Sequence, residues 1–178
     1  TDTYSITLPD IGFDTVISFK ATCTEKEFEE YVEVITETFK EYNAYFDQYN
    51  AYEDLHNIHY LNENAYQNKI EVDEVILDCL NQAFIYNELN PNFDCTQGAL
   101  LNVWHEYREE GTNIPNQALL EQAKLHVGKD KIKIEGNTIR YLDPDFKLDL
   151  GGIAKGYTAQ KVKEILNEKG LHNGFINA

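Results

Sequence analysis

The spacing of apolar residues changes several times along the chain, and each change predicts an element. "DTVISFKA" at 14–21 alternates apolar and polar positions, as a half-buried strand does. From Thr24 onward the period lengthens: Phe28, Tyr31, Val32, Ile35, Phe39 and Tyr42 recur at three and four, predicting an amphipathic helix over 25–44. Thr24 and Glu27 have the spacing of a capping box at its start. The opposite face is mostly acidic and reads as solvated surface. Residues 45–70 are rich in Tyr, Asn and Asp without clear periodicity, which predicts an irregular loop carrying aromatic side chains.

A second helix is predicted behind the cap Asp73, its stripe made of Val72, Val75, Ile76, Cys79, Ala83 and Tyr86. A third, short one carries Leu100, Leu101, Trp104 and Tyr107, of which Trp104 and Tyr107 read as core. Pro115 and Asn116 open a fourth that Gly128 ends. "KIKIEGNTIRYL" is two alternating runs about Gly136-Asn137, a hairpin signal, and after the "DPD" turn "FKLDL" reads as a further strand. Ala159, Val162, Ile165 and Leu166 define a last helix stopped by Gly170, and "GFINA" begins another strand. Mixed helices and mostly antiparallel strands, without repeat or linker, predict an α+β fold over 1–178 in a single domain or one piece of a domain.

Composition narrows the chemistry. With 42% apolar residues the chain can build a core. A net charge of −16, from 31 acids against 15 bases, disfavours nucleic acid and anionic lipid as partners. An anionic ligand therefore needs a local trap of backbone N–H groups, lysine or metal. Cys23, Cys79 and Cys95 form no C-x-x-C pair and read as buried small hydrophobes. No apolar run approaches the ~20 residues of a membrane span. The chain has no methionine, so Thr1 is expected to be the start of a processed or trimmed chain, which leaves the compartment open.

"LDLGGIAKGYTAQ", at 148–160, carries the strongest chemical signal. Strand, glycines and helix in succession make backbone N–H groups converge on an anion, with Lys155 adding a point charge. The same glycines would equally suit a tight strand-to-helix turn with no ligand. A triphosphate loop of the Walker type is disfavoured, because Tyr157 stands where its lysine belongs. His56 and His59 lack a third metal ligand at a known spacing, and Cys95 lacks a histidine placed to activate it.

"LDLGGIAKGYTAQKV" resembles the signature of the ApbE family, the FAD:protein FMN transferases. Three further stretches match in order: "GFDTVISF", with Phe13 where methionine usually stands, "FDQYNAYEDLHNIHYLN" and "PNFDCTQGALLNVW". The resemblance covers essentially the whole chain and implies a T-fold-like α+β architecture. It implies binding of FAD, cleavage of its pyrophosphate with magnesium (Mg²⁺), and transfer of the FMN half to a Thr or Ser hydroxyl of a target flavoprotein. By match of motif, Phe13 would contact the nucleotide from the first strand and Tyr49 would line the pocket from the aromatic loop. Asn92, Phe93 and Asp94 would form another wall, and Asp149 and Lys155 would touch FAD from either end of the glycine turn. The Gly152 backbone carbonyl would be the one metal ligand.

Ala99 replaces the family's usual proline, and Glu53 or Asp54 stands near its usual serine. Family members continue well beyond the position of Ala178 and draw an aspartate and a threonine metal ligand from there. The chain is therefore expected to be incomplete at its C-terminus and inactive alone. The alternatives are a non-catalytic FAD-binding protein or a structural, partner-binding remnant. The family also implies a lipoprotein at the outer face of the bacterial cytoplasmic membrane, its lipid anchor lying outside this chain.

Overall fold

A computed structural model describes residues 1–111 and 113–178. The fold is α+β. Its strands are β1 (Asp2–Leu8), β2 (Ile17–Cys23), β3 (Ile70–Glu71), β4 (Ile132–Glu135), β5 (Thr138–Tyr141) and β6 (Gly174–Asn177). The helices are α1 (Glu25–Phe46), α2 (Ile58–Asn64), α3 (Glu74–Leu89), α4 (Gly98–Glu110), α5 (Gln117–Lys124) and α6 (Ala154–Glu168). The chain divides into two compact units: Thr1–Ala44 with Ile153–Ala178, and Tyr45–Gly152.

The first unit is built on the antiparallel sheet β1-β2-β6. Central β2 pairs along its whole length with β1, Asp2 opposite Cys23 and Leu8 opposite Ile17, and pairs Ser18–Ala21 with β6. Its alternate residues Ile17, Phe19, Ala21 and Cys23 are buried against the predicted stripe of α1 and against Val162 and Leu166 of α6. Ile17, Ile35 and Phe39 are fully buried, and each contributes about 2 kcal/mol by leaving water. The capping box forms as its spacing requires: the Thr24 N–H donates to Glu27 Oε2 at 2.8 Å and the Glu27 N–H to Thr24 Oγ1 at 3.3 Å.

The second unit holds the small antiparallel sheet β3-β5-β4. Gly136, at φ 60, lets the two-residue turn close β4 on β5 with Glu135 opposite Thr138. Asp73 caps α3 as its position predicts, accepting from the Val75 N–H at 2.9 Å.

Several expectations need correction. The strand predicted at 14–21 begins only at Ile17 and is the second strand. The first, Asp2–Leu8, has no buried residue, and so its pattern is weak. The loop at 45–70 contains α2, whose cap Asn57 accepts from the Tyr60 N–H. The fourth helix ends at Lys124: Leu125, His126 and Val127 donate to carbonyls only three residues back, so the helix tightens before Gly128. Tyr86 and Trp104, predicted as core, are 51% and 45% exposed.

"FKLDL" alternates buried and half-buried residues but joins no sheet. Asn62 takes the place of a neighbouring strand, its Oδ1 accepting from the Leu148 N–H at 2.9 Å and its Nδ2 donating to the Leu148 carbonyl at 3.0 Å. The buried Tyr141 hydroxyl donates to the same Oδ1 at 2.9 Å.

Candidate functional site

In the second unit, residues 146–152 are a rail on which the site is assembled. The Asp149 N–H donates to the Cys95 carbonyl at 2.9 Å and the Gly98 N–H to the Lys147 carbonyl at 3.1 Å. These bonds hold "NFDCTQG" alongside the rail. Gly98 is required there, since a Cβ would stand 2.5 Å from the Lys147 carbonyl oxygen.

Tyr49 is placed by the Asp47 carboxylate. Oδ1 accepts from the N–H groups of Tyr49 at 2.7 Å and Asn50 at 3.0 Å, while Oδ2 accepts from the Asn50 amide and the Tyr52 hydroxyl. Partial burial works to raise the Asp47 carboxyl, but these donors outweigh it and hold the group below the usual range. Tyr49 itself is 48% exposed and stacks on His105 of α4, ring centroids 4.3 Å apart. Partial burial, then the nearby Asp149 carboxylate, raise its phenol.

Asp149 joins this aromatic loop to the glycine turn. Its Oδ2 accepts from Gln48 Nε2 at 2.8 Å and its Oδ1 from the Gly151 N–H at 2.7 Å. On the other side Phe93 lies against Gly152, where a Cβ would sit 3.0 Å from the ring. Phe93 is fixed by the Asn87 amide, which donates to its carbonyl at 2.7 Å, and by an edge contact with Tyr86. Asp94 is already engaged: its Oδ1 accepts from both the N–H and the hydroxyl of Thr96, at 2.8 and 2.6 Å. Asn92 is exposed, its N–H donating to Asn90 Oδ1.

Tyr49, Phe93, Asp149 and Gly152 are thus brought together in the second unit, with Asp94 one residue from Phe93 and Cys95. Phe13 and Lys155 belong to the first unit. Phe13 lies in the turn before β2, not in a strand, at φ 58, with its N–H donating to Asn43 Oδ1 at 2.8 Å and its ring edge-on to Phe39. A left-handed backbone at a bulky residue is uncommon and costs energy that its surroundings must offset. Lys155 lies in the first turn of α6, because the helix starts at Ala154, inside the expected glycine turn of 151–156. Tyr42, next to Asn43 on α1, stacks with Tyr157 of α6 at 6.2 Å, so one end of α1 holds both the Phe13 turn and the start of α6.

Residues the sequence reading missed include Gln48, Asn62 and His105. Their contacts, Gln48 with Asp149, Asn62 with Leu148 and His105 with Tyr49, join segments far apart in the chain and leave no local pattern.

Other constellations resolve simply. His56 and His59 direct Nδ1 to different carbonyls, those of Glu71 and Gln48. Burial pushes the thiols of Cys79 and Cys95 up to about 12, which disfavours a Cys95 thiolate near neutral pH. Among the described residues, His126, Asp143 and Asp145 have ligand atoms within 4.8 Å of one another. There His126 Nδ1 is directed at both Asp143 oxygens, at 2.9 and 3.0 Å, as a hydrogen-bonded pair. No helix among the described residues is long and apolar enough to cross a membrane.

Fold and site together define an α+β protein whose glycine turn is walled by aromatic rings and a latched carboxylate. The model of the ApbE family matches residues 13–178, and the chain belongs to that family. It is similar to the FAD:protein FMN transferase of Vibrio cholerae serotype O1, 27% identical over 117 residues, 65% of this chain and 35% of that protein. The FAD:protein FMN transferase of Haemophilus influenzae is 30% identical over 124 residues, with the same shares. Its fold matches the flavin transferase ApbE from Vibrio cholerae with a TM-score of 0.84 at 21% identity, covering 99% of this chain and 57% of that one. The ApbE protein from Thermotoga maritima gives 0.83 at 23% identity, covering 98% and 57%. The chain thus spans about a third of the length of these curated relatives in alignment, and over half that of the solved structures.

Proposed function

We propose that the chain carries the FAD-binding part of an FAD:protein FMN transferase. The observation that carries this reading is the convergence of Tyr49, Asp149 and Phe93 on one glycine turn. Tyr49 offers a half-exposed ring for stacking, Phe93 a second apolar wall, and Asn92 and Asp94 polar edges. By family resemblance Phe13 and Lys155, in the first unit, are also assigned to FAD, Lys155 as a point charge for the pyrophosphate. Glycine N–H groups suit the phosphates, because backbone dipoles are fixed before the anion arrives.

The reaction proposed breaks the bond between the FMN phosphorus and the bridging pyrophosphate oxygen. A Thr or Ser hydroxyl oxygen of a target flavoprotein bonds to that phosphorus, its proton is released, and AMP leaves with the bridging oxygen. Gly152 fits a Mg²⁺ role on its chemistry: it is exposed, has no side chain, and its carbonyl is a hard oxygen donor. When bound, Mg²⁺ supplies neutralisation of the pyrophosphate charge. One carbonyl is a small part of an octahedral shell, so residues 1–178 by themselves bind FAD without robust turnover. A lipid-anchored location at the outer face of the bacterial cytoplasmic membrane belongs to the same reading.

The test is titration of the chain with FAD, followed by an FMN-transfer assay with FAD, Mg²⁺ and a flavoprotein target domain. Binding weakened by Tyr49→Ala supports the reading, and absence of binding at high micromolar FAD sinks it. Robust transfer by the chain alone would overturn its dependence on further ligands. Intact FAD bound without metal dependence would favour a non-catalytic flavin-binding protein.

A further inference from the structure

His105 lies on the third turn of α4, a helix whose start is held on the rail by the Gly98 N–H and by the close approach of Lys147. From there its ring covers part of Tyr49, 4.3 Å between centroids with 26° between planes. Arg108, three residues on and so on the same helix face, places Nη2 3.0 Å from His105 Nδ1. Arginine has donors only, so Nδ1 must accept and the imidazole proton must be on Nε2. The arginine therefore fixes the ring in a defined orientation. Tyr49 is constrained twice, through its backbone by Asp47 and through its ring by His105, while half of it stays exposed.

We propose that His105 is a positioning residue for ligand binding, fixing the Tyr49 ring in the orientation that stacks on an aromatic ring of FAD. The proposal rests on the FAD reading above. A tyrosine free to rotate must lose that freedom on binding, whereas one held in a stack has already lost it. Arg108 fixes the histidine, and it adds positive charge beside Tyr49 on a chain whose net charge is −16.

The test is a double-mutant cycle read by flavin fluorescence titration, with circular dichroism to verify folding. His105→Ala is expected to raise the FAD Kd about three- to tenfold, the range of an aromatic pair. His105→Phe, which keeps a ring in the stack, should stay within about twofold of the unmodified chain. In a Tyr49→Ala background, His105→Ala should add nothing, since the residue it positions is gone. Independently of FAD, the His105 ring protons should shift downfield in NMR spectra of Tyr49→Leu as the ring current is lost. An unchanged Kd in His105→Ala, or full additivity in the cycle, overturns the proposal while leaving the FAD reading intact. Failure of the unmodified chain to bind FAD overturns the reading and the proposal together.

Discussion

Gln48 Nε2 donates to Asp149 Oδ2 at 2.8 Å although 101 residues separate the two in the chain. The bond fastens the aromatic loop to the glycine turn, because the other Asp149 oxygen accepts the Gly151 N–H. Gln48→Ala should therefore leave the fold intact and weaken FAD binding about three- to tenfold, the net worth of a typical intramolecular hydrogen bond. Calorimetric titration beside far-UV circular dichroism checks this. An unchanged Kd would separate the latch from the ligand site.

Gly98→Ala acts on stability. The added methyl would meet the Lys147 carbonyl oxygen at 2.5 Å and its carbon at 2.6 Å, and backbone cannot rotate away as a side chain can. A loss of about 2 kcal/mol is expected in urea unfolding. Gly152→Ala meets only the Phe93 ring, at 3.0 Å, and should cost less stability while impairing FAD binding more.

Asn62→Ala removes three partners at once, those of the Leu148 N–H, the Leu148 carbonyl and the Tyr141 hydroxyl. Buried polar groups left unpaired cost about 1–3 kcal/mol each, so destabilisation of at least about 2 kcal/mol is expected. Hydrogen exchange at the Leu148 amide should accelerate selectively. Protection equal to that of the unmodified chain would show that another group substitutes for the amide.

Glu135 gives a pH dependence with a definite sign. Lys133 first and Lys69 next, at 2.9 and 2.5 Å, hold its carboxyl at about 2. A carboxyl depressed from the ordinary value of about 4.3 stabilises the folded hairpin fully above that value, and the contribution is lost as pH falls through about 2. The group is exposed, so the effect is small and weakens with salt. Amide exchange in β4 and β5, corrected for intrinsic rates, should show an added loss of protection over that window, and Glu135→Gln should flatten it.

What could be read in advance follows physical range. The α1 stripe, its capping box and the Gly136 hairpin rest on neighbours a few residues apart, and they form as their spacing predicts. "FKLDL" misled because alternation reports burial and not the identity of the hydrogen-bonding partner, and an asparagine from α2 fills the place of a strand. The seven-residue α2 is too short for its periodicity to emerge from an Asn-rich segment. In the candidate site, the glycine turn and Tyr49 are singled out by the sequence, the latter through family resemblance. Gln48 and His105 were not, because a contact across 56 or 101 residues leaves no local pattern.

The sheet of the first unit sets an order of events during synthesis. Its central strand β2 pairs with β6, whose residues leave the ribosome some 150 positions later, while residues 45–152 form a contiguous stretch. The second unit can condense as it emerges, but β2 must keep one edge open until the last strand arrives. An unpaired edge beside the buried face of Ile17, Phe19 and Ala21 invites pairing with another nascent chain. Crowded translation is therefore a condition under which this edge is exposed to aggregation.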